Sequence, residues 1–286
     1  MQFGHLVLTV TKDGSIQIKH DIFLYDFGDG AGLVEAKQHY NLIQNDGTPR
    51  FEPGPIVPAS ARIDLTAKLH PNLRIGANVT ILGASKLAAG CVIGDNASIF
   101  SSTLGAQCIL APNARLSSCE LGDLCHIEAA SLLLSKLSKG VSIGAGCQIN
   151  SSELGNFCII GDNCKLFSAQ LTRNVRVDAG CILRRCIIGD RTNIGQDCTL
   201  GSHSFVGEDC YIDPGCTLGS KAFVGNGALL GNGCNIGDHA YVRGRLSLAP
   251  NCVVDAKAML FRSLPEPATA YPRTLTRRLQ SLFKRS

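Results

Sequence analysis

The sequence predicts an all-β protein built as a three-sided parallel solenoid, and three observations carry that prediction. Between Val57 and Met259 an aliphatic residue recurs at nearly every sixth place, as in Ile93-GDNAS, Leu104-GAQCI, Ile143-GAGCQ, Ile160-GDNCK, Ile194-GQDCT, Val206-GEDCY, Ile212-DPGCT, Leu230-GNGCN and Ile236-GDHAY. A small residue fills the fifth place of these lines, and Gly or Asn often fills the fourth. Charged residues make up only 17% of the 286-residue chain while glycines number 31, as suits a chain that bends every few residues.

A period of six excludes an α-helix, which would scatter the aliphatic heads around its whole surface. Four extended residues and a two-residue bend fit it. The small fifth residue and the next aliphatic head point inward, and the sixth residue between them points out. Three such sides close a coil of about eighteen residues, and stacked coils pair each strand with those above and below.

Some lines are one residue short: Ile99-FSST, Leu116-SSCE, Leu132-LLSK, Ile149-NSSE, Leu166-FSAQ and Leu183-RRCI. All fall on one side of the triangle. The pattern of full lines over 57–260 resembles the transferase hexapeptide-repeat superfamily, which implies a left-handed parallel β-helix. The shortened coils resemble the β-helices attached to sugar-nucleotide pyrophosphorylases, especially the bifunctional enzyme that makes UDP-N-acetylglucosamine. No nucleotidyltransferase domain or Gly-rich nucleotide loop precedes the repeat, and the Arg, Lys, Tyr, Asn and His signature of that enzyme's acetyltransferase half is not recognisable.

Fourteen cysteines suggest a metal or disulfide framework until they are placed on the repeat. Cys119 and Cys186 take the inward place of short lines and the other twelve the inward fifth place. Cys147, Cys164, Cys181, Cys198, Cys216, Cys234 and Cys252 recur every seventeen or eighteen residues and should stack as a ladder. Thiols so placed behave as small hydrophobes. With no CxxC pair of zinc-ribbon type, no metal site is expected, and free thiols suit a reducing, cytoplasmic setting.

Residues 1–54 stand outside the repeat. LVLTV and SIQIK around the polar TKDG turn read as a hairpin, and AGLVEAKQHYNLI at 31–43 is a candidate short helix; residues 1–54 are read as a small α/β or β cap for the open end of the solenoid. The solenoid is expected over 55–260. Residues 261–286 read as a breaker-rich linker followed by a basic amphipathic helix, with Leu275, Leu279, Leu282 and Phe283 on one face. Three destinations stay open for that helix: over the solenoid wall, onto a neighbouring subunit, or, weakly through 274–286, onto a membrane surface. No apolar run is long enough to span a bilayer. One basic segment without an aromatic-interleaved groove excludes nucleic acid as a partner.

Function is sought on the outer corners. The fourth place is a bend where Asn and Gly are explained by sterics alone, as at Asn72, Asn78, Asn96 and Gly146. At one corner, however, His203, Lys221, His239 and Lys257 follow one another at eighteen-residue intervals. Two residues beyond each stand the outward-facing Phe205, Phe223, Tyr241 and Met259, with Ile187 one coil earlier. An apolar stripe on an outer wall calls for something to cover it. The family resemblance implies a homotrimer with acyl-CoA as co-substrate in clefts between subunits and a histidine as general base. It makes His203 and His239 the catalytic candidates, with Lys221, Lys257, Phe205, Phe223 and Tyr241 as substrate- or anion-binding residues. His126 has no comparable row beside it, and the three-histidine zinc arrangement of carbonic anhydrases with this fold is absent. Two readings follow: acyl-CoA-dependent transfer to a sugar or sugar-nucleotide acceptor with no bound cofactor, or a non-catalytic solenoid serving as scaffold or assembly subunit.

Overall fold

The structure, a computed structural model, describes residues 57–70 and 72–271, together with the backbone of four short strands ahead of them. Strand β1 (Val7–Val10) pairs antiparallel with β2 (Ile16–Lys19), the hairpin expected around the TKDG turn. Strand β3 (Leu24–Tyr25) pairs antiparallel with β4 (Val34–Glu35). The helix expected over 31–43 therefore does not form at its start, where β-branched Val34 follows Gly30 and Gly32 and favours an extended chain. The rest of that segment, its capping role and the amphipathic helix past Tyr271 lie outside the described residues.

From Arg62 onward the chain is a left-handed parallel β-helix of about twelve coils. Its first wall runs from Arg62–Ile63 to Thr269–Ala270, its second from Lys68–Leu69 to Met259–Leu260, and its third from Arg74–Ile75 to Ser247–Leu248. Aliphatic heads stack in register, as Ile99 on Leu116 and then Leu132, and all lie in one buried core with the small residues that precede them. The walls are sheets whose inner faces carry the whole core, so the outward residues are free to vary.

The corners show why the fourth place is restricted. Asn78 (φ 56°), Asn163 (φ 57°) and Gly146 (φ 70°) all adopt the left-handed conformation that the bend requires. In the short lines the same conformation moves to the third place, at Ser101, Ser118, Leu134, Ser151, Ser168 and Arg185. Glycine in the second place has a different cause. A Cβ on Gly225 would lie 2.4 Å from the backbone nitrogen of Gly244 in the next coil, so only the absence of a side chain lets the coils close at their normal spacing.

All fourteen cysteines are buried and free. Each member of the predicted ladder donates its thiol to a corner carbonyl of the next coil, from Cys147 to Gly161 at 3.0 Å through to Cys252 to Glu266 at 3.3 Å. Burial pushes the Cys158 thiol up to about 11 and that of Cys186 up to about 12, so both remain protonated and inert at neutral pH.

The pairing continues past Leu260. Leu264 bridges Leu248, and Thr269–Ala270 pairs with Val253–Val254, so the stretch read from sequence as the start of a linker closes a further partial coil. Apolar Leu264 and Ala270 pack on the core and hold it there.

Candidate active site

The corner between the first and second walls is a vertical column. Its residues in the upper coils are Arg185 (φ 46°), His203 (φ 62°), Lys221 (φ 58°), His239 (φ 58°) and Lys257 (φ 63°). Each is fixed by its own backbone: the amide of His203 donates to Arg185 at 2.9 Å, that of Lys221 to Ser202 at 2.9 Å, that of His239 to Ser220 at 2.9 Å, and that of Lys257 to Asp238 at 2.8 Å. Successive members stand about 4.8 Å apart, the spacing of hydrogen-bonded strands. Cation and imidazole therefore alternate over five coils, and each imidazole is bracketed by two cations. All five side chains are exposed, and none makes an ion pair among the described residues.

The corner between the second and third walls is built the opposite way. There Arg191 binds Asp209 through Nε at 2.7 Å and Nη2 at 2.8 Å and reaches Glu208 at 3.4 Å, while Arg173 grips Asp190 at 2.6 Å. The Asp209 hydrogen bonds hold the Arg191 guanidinium above its already high range. Charge is neutralised around Arg173 and Arg191 at that edge and left open along the basic column at the other.

Beside the open column runs the predicted stripe. Phe205 stacks on Phe223 with centroids 5.0 Å apart and planes 10° apart, and Phe223 stacks on Tyr241 at 5.0 Å and 5°. Phe261 continues the cluster, tilted 40° against Tyr241 at 6.0 Å. Ile187 and Met259 extend it in register at either end, 42% and 50% exposed. The ring faces are turned toward one another, so the wall shows ring edges and presents an apolar ridge.

The structure thus brings His203, Lys221, His239 and Lys257 into one column and Phe205, Phe223 and Tyr241 into the ladder next to it. It keeps His126 apart on the third wall, where its Nε2 meets Glu128 at 3.0 Å. Tyr211 and Leu229 also stand on the third wall and do not join the ladder. Arg185 is the residue that the line pattern hides, because the short line moves its corner to the third place. Counting corners from the aliphatic head of each short line, as for Ser168 one coil earlier, would have found it. Among the described residues no group of three His, Cys, Asp or Glu is placed to hold a metal ion.

The open column offers two kinds of chemistry. An imidazole at an exposed edge can take a proton from a hydroxyl or amine brought against it. Cations without acidic partners can hold phosphate or carboxylate oxygens by charge-assisted hydrogen bonds.

One family model and several solved structures are similar to this chain. A family model for the EIF2B subunit epsilon LbH domain matches residues 134–218. No curated protein matches the chain. Among solved structures, UDP-N-acetylglucosamine O-acyltransferase from Moraxella catarrhalis is similar at 15% identity, with 75% of this chain and 78% of that one covered and a TM-score of 0.24. The Arabidopsis UDP-N-acetylglucosamine acyltransferase is similar at 18% identity over 70% and 63%, TM-score 0.26. Perosamine N-acetyltransferase from Caulobacter crescentus, solved with CoA and GDP-perosamine, is similar at 19% identity over 51% and 52%, TM-score 0.23.

Proposed function

We propose that this chain, a member of the hexapeptide-repeat left-handed β-helix superfamily, is a transferase that moves an acyl group from acyl-CoA to a sugar-type acceptor at the edge between its first and second walls. The observation that supports this is the unpaired column Arg185–His203–Lys221–His239–Lys257 beside an apolar ladder. In this reading His203 or His239 takes the proton of the acceptor hydroxyl or amine as its oxygen or nitrogen attacks the thioester carbonyl. The carbon–sulfur bond then breaks, and the imidazolium returns its proton to the departing CoA thiolate. Lys221, between the two histidines, and Lys257 and Arg185 beyond them meet the phosphates of donor or acceptor. A neighbouring copy packed on the first-wall side would close this edge into a cleft and leave the second wall open.

Release of CoA thiol from acetyl- and longer acyl-CoA, with sugar phosphates and nucleotide sugars as acceptors, tests the reading. His203→Ala or His239→Ala should lower turnover about 10²–10⁴-fold, the usual worth of a general base. Turnover that survives both substitutions unchanged removes the assignment.

A scaffold is the second reading, favoured by two observations. The repeat runs from Arg62 to Leu260 without an inserted loop, and the matching family model is that of a domain in a subunit of a larger assembly. Absence of turnover with every acyl-CoA tried, together with a stable complex of defined mass, selects it.

A further inference from the structure

The second wall carries a charge asymmetry that extends beyond the residues given to acyl transfer. From Pro214 to Ser286 the chain holds ten lysines and arginines against Asp238, Asp255 and Glu266, a net of +7, whereas residues 1–213 net −3. In the described part these cations stand on both sides of the apolar ladder. Lys221 and Lys257 line its first-wall edge, and Arg243, Arg245 and Arg262 its third-wall edge; all are exposed, and none makes an ion pair among the described residues. Of the two acids nearby, Asp238 is engaged, its Oδ1 accepting the Ser220 amide at 2.7 Å. Between the two cationic edges lie Phe223, Tyr241, Met259 and Phe261.

We infer that the C-terminal half of the second wall docks on an anionic lipid surface, with the apolar ridge entering the boundary between headgroups and acyl chains and the flanking cations meeting lipid phosphates. Charge complementarity selects this occupant. A second copy applied by the same face sets cations against cations. The chain beyond Tyr271 carries Arg273, Arg277, Arg278, Lys284 and Arg285 with no acid, so the same rim repels it. A lipid surface supplies both an anionic layer for the rim and an apolar layer for the ridge. A flat ligand ring would find only ring edges here, whereas acyl chains need no flat face. The ladder residues stand in register on successive parallel strands, so they form one column along the wall that can meet a surface together. Docking this way leaves His203 and His239 at the rim, on the aqueous side.

The docking goes beyond the transferase reading, and its test measures no turnover, so either can fail alone. The full chain is sedimented with vesicles of phosphatidylcholine alone and of phosphatidylcholine with an equal part of phosphatidylglycerol, at low and at physiological salt. Binding is expected only to the mixed vesicles and weaker in salt. It should weaken about fivefold for each of Arg243→Gln and Arg245→Gln, the usual worth of one cation near such a surface. Met259→Gln should also weaken binding with its melting temperature unchanged, and so should Phe223→Ser, whose fold is checked by the same melt. Equal binding to both vesicles, or binding to neither, overturns the proposal. So does binding lost in Arg277→Gln/Arg278→Gln yet unchanged in Arg243→Gln/Arg245→Gln, which assigns it to the tail. An oligomer that Met259→Gln dissociates and that ignores vesicles assigns the wall to a second copy and equally overturns it.

Discussion

The thiol of Cys210 donates to the carbonyl oxygen of Gly225, 3.2 Å away in the next coil. One coil earlier Thr192 fills the same inward place, and its hydroxyl donates to Gly207 at 2.7 Å while accepting the Cys210 amide at 3.2 Å. The acceptor is a corner carbonyl that the core would otherwise leave without a donor. Cys210→Ser therefore buries a hydroxyl that already has a partner, and should cost less than about 1 kcal/mol. Cys210→Ala removes the donor and opens a small void, and should cost about 1–2 kcal/mol. Urea unfolding of the two variants checks the order. If serine is the more damaging, the bond contributes nothing and only sulfur's volume matters.

Ser204 is the counterexample. It is buried in the column of small inward residues beneath the candidate site, and its Oγ has no hydrogen-bond partner among the described residues. The next members of that column are Ala222, Ala240 and Ala258, all buried. Ser204→Ala should raise stability by about 1 kcal/mol, because it removes a hydroxyl that loses water on folding and gains nothing in return. A measured loss of stability would place an ordered water against that hydroxyl.

Both residues could be placed from sequence, because inward positions are dictated by a strict period and by the core's demand for small or aliphatic side chains. The basic column was legible for the same reason from His203 onward, where every coil has eighteen residues. Arg185 escaped because the shortened line moves its corner by one. Leu124 (φ 60°) and Phe157 (φ 58°) escaped because nothing in a line of six says that a bulky side chain sits at a left-handed bend. The reach of the last coil to Ala270 was hidden as well: Pro265 and Pro267 break the period, and only spatial pairing with Val253–Val254 reveals the strand. Polarity of the outer edges was readable as composition, but whether a charge is paired was not. Arg191 and Lys221 look alike in sequence, and the carboxylate of Asp209 distinguishes them.

Asp190 makes that paired edge sensitive to acid. Its side chain is 14% exposed and binds Arg173 through Nε at 3.0 Å and through the Arg173 amide at 2.8 Å. The Thr172 hydroxyl first, and then Arg173, hold its carboxyl well below the usual aspartate range. The folded state thus binds its proton less readily than the unfolded chain. The resulting stability is fully present above the ordinary aspartate value near 4 and is lost as pH falls from there toward the lowered one. Asp190→Asn should therefore melt below the parent at neutral pH, and the gap should close as the pH is taken below about 4. A gap that does not change with pH would mean that the carboxylate's charge contributes nothing.

Lys221 tests whether the open column exists for function. A left-handed bend disfavours a lysine by about 1 kcal/mol relative to glycine or asparagine, the residues that fill most bends between the third and first walls, such as Asn78, Asn96, Asn113, Gly146 and Asn163. At φ 58° Lys221 accepts that cost, and its neighbours His203, His239 and Lys257 do likewise in consecutive coils. Strain repeated four times along one edge, beside the ladder that a partner would need, is the pattern of residues kept for what they bind. Lys221→Asn should therefore raise stability by about 1 kcal/mol while lowering both acyl transfer and affinity for anionic vesicles. The two readouts separate the explanations. A variant that gains stability and keeps full turnover and binding makes the column a solvated corner, whereas one that gains stability and loses either function shows what the strain maintains.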